Sequence, residues 1–393
     1  MMKNLTIVPK ALRMFIIIFS IFVIFNFISF FLLWIGWSEL PYTNKFKEKY
    51  AGYTKSTNNY IHPYLGYTRT KLLKTSDINF DENLFWSIFE TNNFDIKSDP
   101  TILLIGGSVA KHLSKNLKNH EDEDKSRGNY AFSRSLQKNF PGKNFRVVNA
   151  AYGGKKQPQQ YLSVIYLDLI GLNYDIVVNL DGFNEIVLPT IENFYQETPA
   201  IFPRSFFKLA SAFQNGDCLT ERNDKPSYIP LLDLFYSVKL KICLKKVIDP
   251  KNFNQIKMKN DKKEVFDQSV EIWFKSSNKL DDFLKSKGKS YIHAIHPNQY
   301  LPNSKILSDI ELEKFNKPSV MGEAATIIKN YFMSLDITLL STKNISDLRF
   351  IFKDNNETLY QDSCCHLNDR GMVLISEKII SDNIDLFRKI FIN

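Results

Sequence analysis

Three apolar runs, each short enough to be one strand, end in segments of small and polar residues. The runs cover 101–105, 145–148 and 176–180, and the segments that follow them are Gly106-Gly107-Ser108, Gly153-Gly154 and Asp181-Gly182-Phe183-Asn184-Glu185. Continuous apolar runs of this length are typical of buried parallel strands, and residues just past the ends of such strands line the ligand crevice. A fourth segment, Asp362-Ser363-Cys364-Cys365-His366, precedes a helical pattern near the C-terminus. We therefore expect all four segments to meet at one edge of one sheet.

The remaining pattern predicts an α/β fold. Helical periodicity covers 130–140 and 162–172, so crossover helices separate the first three strands, and the right-handed crossover rule makes those strands parallel. Further elements are predicted in chain order: a fourth strand from Ser290 to Ile295, a helix from Glu323 to Phe332, a fifth strand from Ile337 to Ser341, and a last helix from Met372 to Ile390 with Asn368 as its N-cap. The sheet is thus predicted to be parallel, with five strands.

The order and identity of the four segments resemble the SGNH/GDSL hydrolase family, which is named for the Ser, Gly, Asn and His of its four blocks. The resemblance covers roughly residues 100–393. It implies a three-layer α/β/α flavodoxin-like sandwich, no cofactor and no metal. It also implies site residues: Ser108 as the nucleophile, Gly154 and Asn184 as oxyanion donors, and Asp362 with His366 as the orienting acid and the base.

Two departures from the family pattern concern the first and last blocks. The first block has Gly-Gly-Ser-Val where much of the family has Gly-Asp-Ser, and the changed residue is not the nucleophile. Three residues separate Asp362 from His366 where the usual spacing has two, so Ser363 takes the usual position of the acid. Asp354 and Asp369 remain the other nearby candidates for that role.

These residues supply what acyl transfer through a serine requires. A serine hydroxyl is a poor nucleophile until a base takes its proton, and a carboxylate on the other imidazole nitrogen fixes the tautomer of that base. The developing oxyanion needs hydrogen-bond donors, and the sequence offers the N–H groups of Ser108 and Gly154 and the amide of Asn184.

An uncharged stretch of 23 residues at 14–36 predicts a transmembrane helix. At about 1.5 Å per residue it is roughly 35 Å long, enough to cross a hydrocarbon core of about 30 Å. A cleaved signal peptide has a shorter apolar region, and a buried helix of a soluble domain is the other alternative. Lys3, Lys10 and Arg13 precede the stretch, which weakly favours a cytoplasmic N-terminus and an extracytoplasmic catalytic domain.

The predicted domain organisation follows from this span. Residues 1–13 form a cytoplasmic tail, 14–36 the transmembrane helix, 37–100 a juxtamembrane segment rich in aromatic residues, and 101–393 the hydrolase domain. An insertion at about 188–262 either shapes the substrate pocket or serves as a structural cap. Cys218 and Cys243 lie in that insertion and can pair, whereas adjacent Cys364 and Cys365 are expected to stay reduced.

Composition and motifs exclude several other classes of protein. With 44% apolar residues the chain can bury a core, and its net charge of +9 comes without a basic cluster interleaved with aromatics, so nucleic acid is not an expected partner. Metal-ligand spacings and phosphate-binding loops are absent from the sequence. His293 and His296 bracket the end of the fourth strand, where His296 either contacts substrate or has a structural role.

Three functions remain open at this point. The first is a membrane-anchored serine esterase that removes acyl groups, most plausibly O-acetyl, from envelope carbohydrate or a related ester. The second is an O-acyltransferase that uses the same triad on an envelope polysaccharide and receives its acyl group from a membrane partner. The third is a catalytically silent subunit of an envelope assembly, for which the irregular Asp362 spacing is the support.

Overall fold

The computed structural model describes ten stretches of the chain. They are 9–34, 59–62, 65–69, 85–114, 130–191, 229–248, 262–315, 327–329, 335–339 and 343–392. The chain divides into two compact units. Unit 1 comprises Met1–Asn59 and Lys208–Phe253, and unit 2 comprises Tyr60–Phe207 and Asn254–Asn393.

The described elements are numbered in chain order. The strands are β1 Asn59–His62, β2 Gly66–Arg69, β3 Ser87–Glu90, β4 Thr101–Gly106, β5 Arg146–Asn149, β6 Ile176–Asp181, β7 Ser290–Ile295 and β8 Ile345–Asp347. The helices are α1 Lys10–Trp34, α2 Ser108–His112, α3 Ala131–Asn139, α4 Gln159–Leu169, α5 Phe183–Ile191, α6 Pro230–Ile248, α7 Lys262–Ser286, α8 Asp309–Phe315, α9 Asp369–Asp382 and α10 Ile384–Ile392.

The central sheet of unit 2 has six strands in the order β3-β5-β4-β6-β7-β8. The prediction of five strands is therefore wrong: β5, β4, β6, β7 and β8 are parallel, and β3 adds an antiparallel edge against β5. Strand β3 lies in the segment predicted only as aromatic-rich. Chain order reverses between β4 and β6, which creates the switch point where open α/β sheets bind ligands.

Both faces of this sheet are covered by helices. Along β4, Ile102 and Leu104 belong to one apolar cluster and Leu103 and Ile105 to the other, because alternate side chains of a strand point to opposite faces. Residues of α3, α9 and α10 complete the first cluster, and residues of α4 and the second half of α7 complete the second. The fold is therefore an α/β architecture with helices on both sides of the sheet.

Two further predictions of secondary structure need correction. The apolar run predicted as a fifth strand contains a 3-10 turn at Ile337–Leu339, and the last strand is the three-residue β8 instead. The predicted last helix is two helices, because Asn383 ends α9 and its side chain bonds Ser346 Oγ and the carbonyl of Ile379. Within the predicted helix at 323–332, residues 327–329 are helical and the others lie outside the described residues.

Unit 1 contains two long helices that contact each other, α1 and α6. Helix α1 includes a segment of 21 residues, Leu12–Leu32, that is long and apolar enough to cross a membrane. A signal sequence shares this property. The backbone N–H of Leu231, in the first turn of α6, donates to the Asn26 side chain of α1 at 3.2 Å. Cys243 of α6 is disulfide-bonded, and Cys218 lies outside the described residues.

Candidate active site

Ser108 occupies the first position after the turn that ends β4, at the switch point of the sheet. It opens the short helix α2, whose first-turn N–H groups have no acceptor within the helix. Within β4 and α2, residues 101–107, 109 and 110 are buried, and Ser108 is partly exposed. The fold therefore presents the hydroxyl and the N–H of Ser108 at the edge of the sheet where the sequence predicted a crevice.

The two glycines before Ser108 let this segment approach the end of β6 and the start of α5 closely. Gly106 has a φ of +136°, and a Cβ there would lie 2.1 Å from the carbonyl oxygen of Leu180 at the end of β6. Gly107 has an ordinary φ of −86°, but a Cβ there would lie 2.3 Å from Nδ2 of Asn184. The first and third polar segments are thus in direct contact.

Asn184 connects these segments to the loop after β5. Its Nδ2 donates to the carbonyl oxygen of Lys155 at 2.8 Å, which leaves the second N–H of the amide for another acceptor. Lys155 directly follows Gly154, which is buried and has a φ of +76°. The structure therefore brings Ser108, the Gly154 loop and Asn184 together, as the order of the segments predicted.

Asp362 and His366 face each other across the loop before α9. Oδ2 of Asp362 lies 2.5 Å from Nδ1 of His366. Oδ1 accepts the backbone N–H groups of Cys364, Cys365 and His366 at 2.9, 3.2 and 3.3 Å, so the chain wraps around one carboxylate oxygen. Burial alone would raise the pKa of Asp362, but the hydrogen bonds from His366 and the backbone outweigh it and lower that pKa. This turn of backbone around Asp362 accommodates the extra residue between Asp362 and His366.

The loop that carries this pair is held at both ends. An antiparallel bridge joins Tyr360 to Leu367, and the N–H of Gln361 donates to the carbonyl oxygen of His366 at 2.9 Å. Oε1 of the buried Glu311 accepts the N–H groups of residues 359 and 360. The loop after β7 also holds this segment: Nε2 of Gln299 donates to the carbonyl oxygen of residue 362 at 3.0 Å.

Nε2 of His366 is buried and has no hydrogen-bond partner among the described residues. No hydrogen bond between Ser108 and His366 is formed in the described part of the chain. The imidazole of His112, one helical turn after Ser108, packs on the His366 ring with centroids 4.9 Å apart. The sequence offered no context for His112, because only the tertiary fold places it against the predicted base.

A small cavity of about 10 Å³, roughly the room of one water molecule, adjoins Ser108. Its walls include Leu180, Asn184, His296 and Cys365. Burial raises the pKa of the Cys365 thiol well above its usual value, which disfavours this sulfur as a competing nucleophile.

His296 has partners on both ring nitrogens. Nε2 accepts the N–H of Phe183 at 3.0 Å, and Nδ1 donates to the carbonyl oxygen of Pro297 at 2.9 Å. Burial lowers the pKa of His296 to about 4, and the nearby His366 acts in the same direction. His296 is therefore a neutral wall residue that fixes the start of α5, which carries Asn184.

Asp181 has a similar anchoring role at the end of β6. Its carboxylate, 2% exposed, accepts hydrogen bonds from Asn179, Trp273 and His293 at 2.8, 3.0 and 2.7 Å. The other nitrogen of His293 lies 2.9 Å from the hydroxyl of Ser277. These bonds join β6, β7 and α7 behind the cavity.

A buried group of ionisable side chains lies next to the segments that carry Gly154 and Asn184. Glu185 accepts the N–H of Gly182 at 2.8 Å and Nε2 of Gln160 at 2.7 Å. Burial raises the pKa of Glu185 to about 8, and it lowers that of Lys156 to about 7 and that of Lys155 to about 8. This group was not predicted, because buried lysines are rare and their burial depends on the whole fold.

Comparison with known proteins gives a limited result. No protein-family model matches the chain, and no curated protein matches it. Among solved structures, the acetylxylan esterase Axe2 from Geobacillus stearothermophilus matches at 13% identity and a TM-score of 0.34, over 73% of this chain and 96% of the esterase. A catalytic mutant of Axe2 matches at 14% identity and a TM-score of 0.34, over 72% and 94% of the two chains. The geometry of the site therefore has to carry any assignment of function.

Proposed function

We propose that this protein is a serine esterase of the SGNH type that removes small acyl groups, O-acetyl above all, from carbohydrate. Ser108 is the nucleophile, His366 the general base and Asp362 the acid that orients it. The N–H groups of Ser108 and Gly154 and the amide of Asn184 bind the oxyanion. The observation that carries the proposal is the hydrogen bond between Asp362 and Nδ1 of His366, in a ring whose Nε2 has no hydrogen-bond partner among the described residues.

This arrangement supports base catalysis for a definite reason. A carboxylate that accepts from Nδ1–H leaves a lone pair on Nε2, which is the atom that must take a proton from a serine hydroxyl. Ser108 lies at the switch point of the sheet, and two contacts bring His366 towards it: His112, one helical turn after Ser108, packs on the His366 ring, and Cys365, the residue before His366, lines the cavity beside Ser108. Hydrogen bonds of a catalytic pair are often long before substrate binds.

The donor set supports the second half of the mechanism. Attack by Ser108 Oγ on an ester carbonyl places negative charge on the carbonyl oxygen, and the alcohol leaves with the proton that His366 took. The Asn184 amide keeps one N–H for this oxygen because the other is bound to the carbonyl of Lys155. Water then cleaves the acyl-enzyme by the same route in reverse.

The choice of a small acyl group, O-acetyl, rests on the resemblance of the four segments. The cavity beside Ser108 has a volume of about 10 Å³, the room of one water molecule, and does not itself select an acyl chain. Carbohydrate as the alcohol and an envelope location rest on the apolar helix α1 and on the resemblance of the four segments. We propose that α1 anchors the chain and that the catalytic residues lie outside the cytoplasm, a placement that the disulfide bond of Cys243 supports because disulfides persist in oxidising compartments.

The test is hydrolysis of a small aryl acetate by the full chain in detergent. Ser108→Ala and His366→Ala should each abolish turnover, because nucleophile and base act as one unit. Retention of more than about a tenth of the activity by either folded variant would overturn the assignment. Adding a sugar acceptor to this assay and measuring acetyl transfer to the sugar then separates an esterase from an acyltransferase.

A second test concerns topology. Reporter fusions at the C-terminus should give a periplasmic reporter signal, and an unexported fluorescent protein fused there should stay dark. The opposite pair of results would place the catalytic residues in the cytoplasm and remove envelope carbohydrate as the substrate.

A further inference from the structure

Two thiols and one imidazole from consecutive residues converge beside the proposed base. Cys364 and Cys365 are free cysteines whose sulfurs lie 2.9 Å apart. Together with one ring nitrogen of His366 they present three ligand atoms that all lie within 4.8 Å of one another. Cys364 and His366 are partly exposed and Cys365 is buried, so solvent reaches part of the cluster.

The His366 ring is oriented as metal-bound histidines commonly are. Such histidines donate one ring N–H to a carboxylate or carbonyl and bind the metal through the other nitrogen. Here Nδ1 is bonded to Asp362 and the buried Nε2 has no hydrogen-bond partner among the described residues. The hydrogen bond between Asp362 and Nδ1 thus leaves the Nε2 lone pair available to a proton or to a cation.

A tetrahedral site requires the ligand atoms to move by about 1 Å. Two thiolates on one Zn²⁺ at about 2.3 Å each are about 3.8 Å apart, so the two sulfurs must separate by about 1 Å. The backbone of the loop is held by the Tyr360–Leu367 bridge and by Asp362, so the movement has to come from a side chain. Rotation of the partly exposed Cys364 side chain can supply it. Three protein ligands leave a fourth position for water.

We propose that Cys364, Cys365 and His366 form a binding site for one thiophilic divalent cation such as Zn²⁺, and that its occupation switches the hydrolase off. Soft thiolates with an imidazole select Zn²⁺, Cd²⁺ and Co²⁺ over Mg²⁺ or Ca²⁺. Binding releases the two thiol protons to solvent, forms two metal–sulfur bonds and one metal–nitrogen bond, and involves no redox change. With its Nε2 lone pair on the metal, His366 cannot take the proton of Ser108, so the inhibitory part rests on the proposed function.

The binding test uses Co²⁺ alone and the full chain without a polyhistidine tag. One Co²⁺ per chain should bind with a thiolate charge-transfer absorption band, and Ser108→Ala should bind equally well because it leaves all three ligands in place. Cys364→Ser and Cys365→Ser should each weaken binding at least about tenfold, since each removes a thiolate. Ser363→Ala, a change in the same loop, is the matched control and should bind like the unmodified chain.

The inhibition test compares aryl acetate hydrolysis with and without Zn²⁺. Zn²⁺ should inhibit the unmodified enzyme, a chelator should restore the rate, and the concentration for half inhibition should rise at least about tenfold in each cysteine variant, relative to that variant's own zinc-free rate.

Absence of the thiolate band in the unmodified chain, or Co²⁺ binding of unchanged strength in both cysteine variants, would overturn the metal site. If one cysteine variant does not fold, the other carries the test. Binding by Ser108→Ala is independent of catalysis. An unmodified chain that binds Co²⁺ through thiolates but does not hydrolyse aryl acetate would therefore contradict the proposed function and leave the metal site standing.

Discussion

Replacing Gly107 by Ala tests whether the position of the Asn184 amide controls catalysis. The backbone at Gly107 has a φ of −86° and a ψ of −154°, which Ala adopts without strain. The added Cβ, however, would lie 2.3 Å from Nδ2 of Asn184, and ordinary contacts begin at 3.4 Å. The amide must therefore move by about 1 Å, a displacement that can cost about a hundredfold in rate at a catalytic group.

The expected effect is large on turnover and small on stability. Moving the amide removes one oxyanion donor, which is worth roughly 2.7–4 kcal/mol, so kcat should fall by about 10²–10³. It also breaks the hydrogen bond from Asn184 to the carbonyl of Lys155, which costs about 1 kcal/mol of unfolding free energy. The assay is kcat and KM for an aryl acetate, with a melting temperature measured on the same preparation.

Two controls make this prediction specific. A Cβ at Gly153 would meet no atom of the described residues within 4 Å, so Gly153→Ala is a matched substitution and should change kcat by no more than about twofold. Adding Asn184→Ala to Gly107→Ala should cause no further loss, because both changes remove the same donor. A Gly107→Ala enzyme with unchanged kcat, or losses that multiply in the double variant, would refute the role assigned to Asn184.

Two further predictions concern carboxyl groups of unit 2. Asp362→Ala should lower kcat of aryl acetate hydrolysis less than His366→Ala does, since the acid orients the base without taking the proton; a silent Asp362→Ala beside a damaging Asp369→Ala would mean that the acid is misassigned. Glu185 has a folded pKa raised to about 8, so its contribution to stability is complete below about 4.5 and is lost as the pH rises to about 8. Glu185→Gln should therefore reduce the fall in denaturant midpoint between pH 5 and pH 8, and an unchanged fall would contradict that pKa.

Much of this fold follows from local pattern. The runs that became β4, β5, β6 and β7 are mostly apolar, because parallel strands are covered on both faces, and Arg146, Asn179 and His293 are among the polar exceptions. The ends of these runs determine where the polar segments lie. The N-cap at Asn368 was also predictable, because its side chain accepts the N–H of Gly371 as the local sequence suggests.

The wrong predictions about the sheet concern strands whose formation depends on pairing with another strand. Strand β8 has three residues and is defined by its pairing with β7, so a longer apolar run at 337–341 was the stronger local pattern. Strand β3 is an edge strand whose identity depends on the partner β5.

Contacts that depend on the tertiary fold left no trace in the sequence. One such contact is the packing of His112 on His366, and another is the proximity of the buried Glu185 and Lys156. In both pairs the two residues are far apart in the chain and become neighbours only when the domain packs.

The central claim is that Ser108 is a nucleophile activated by His366, and a fluorophosphonate probe tests it most directly. The probe forms a covalent bond only with an activated serine, so the account predicts one adduct per chain on the full protein in detergent, mapped by mass spectrometry to Ser108. Ser108→Ala should show no adduct, and His366→Ala should label far more slowly while keeping the melting temperature of the unmodified chain. An adduct on another residue, or no adduct on folded protein, would contradict the account.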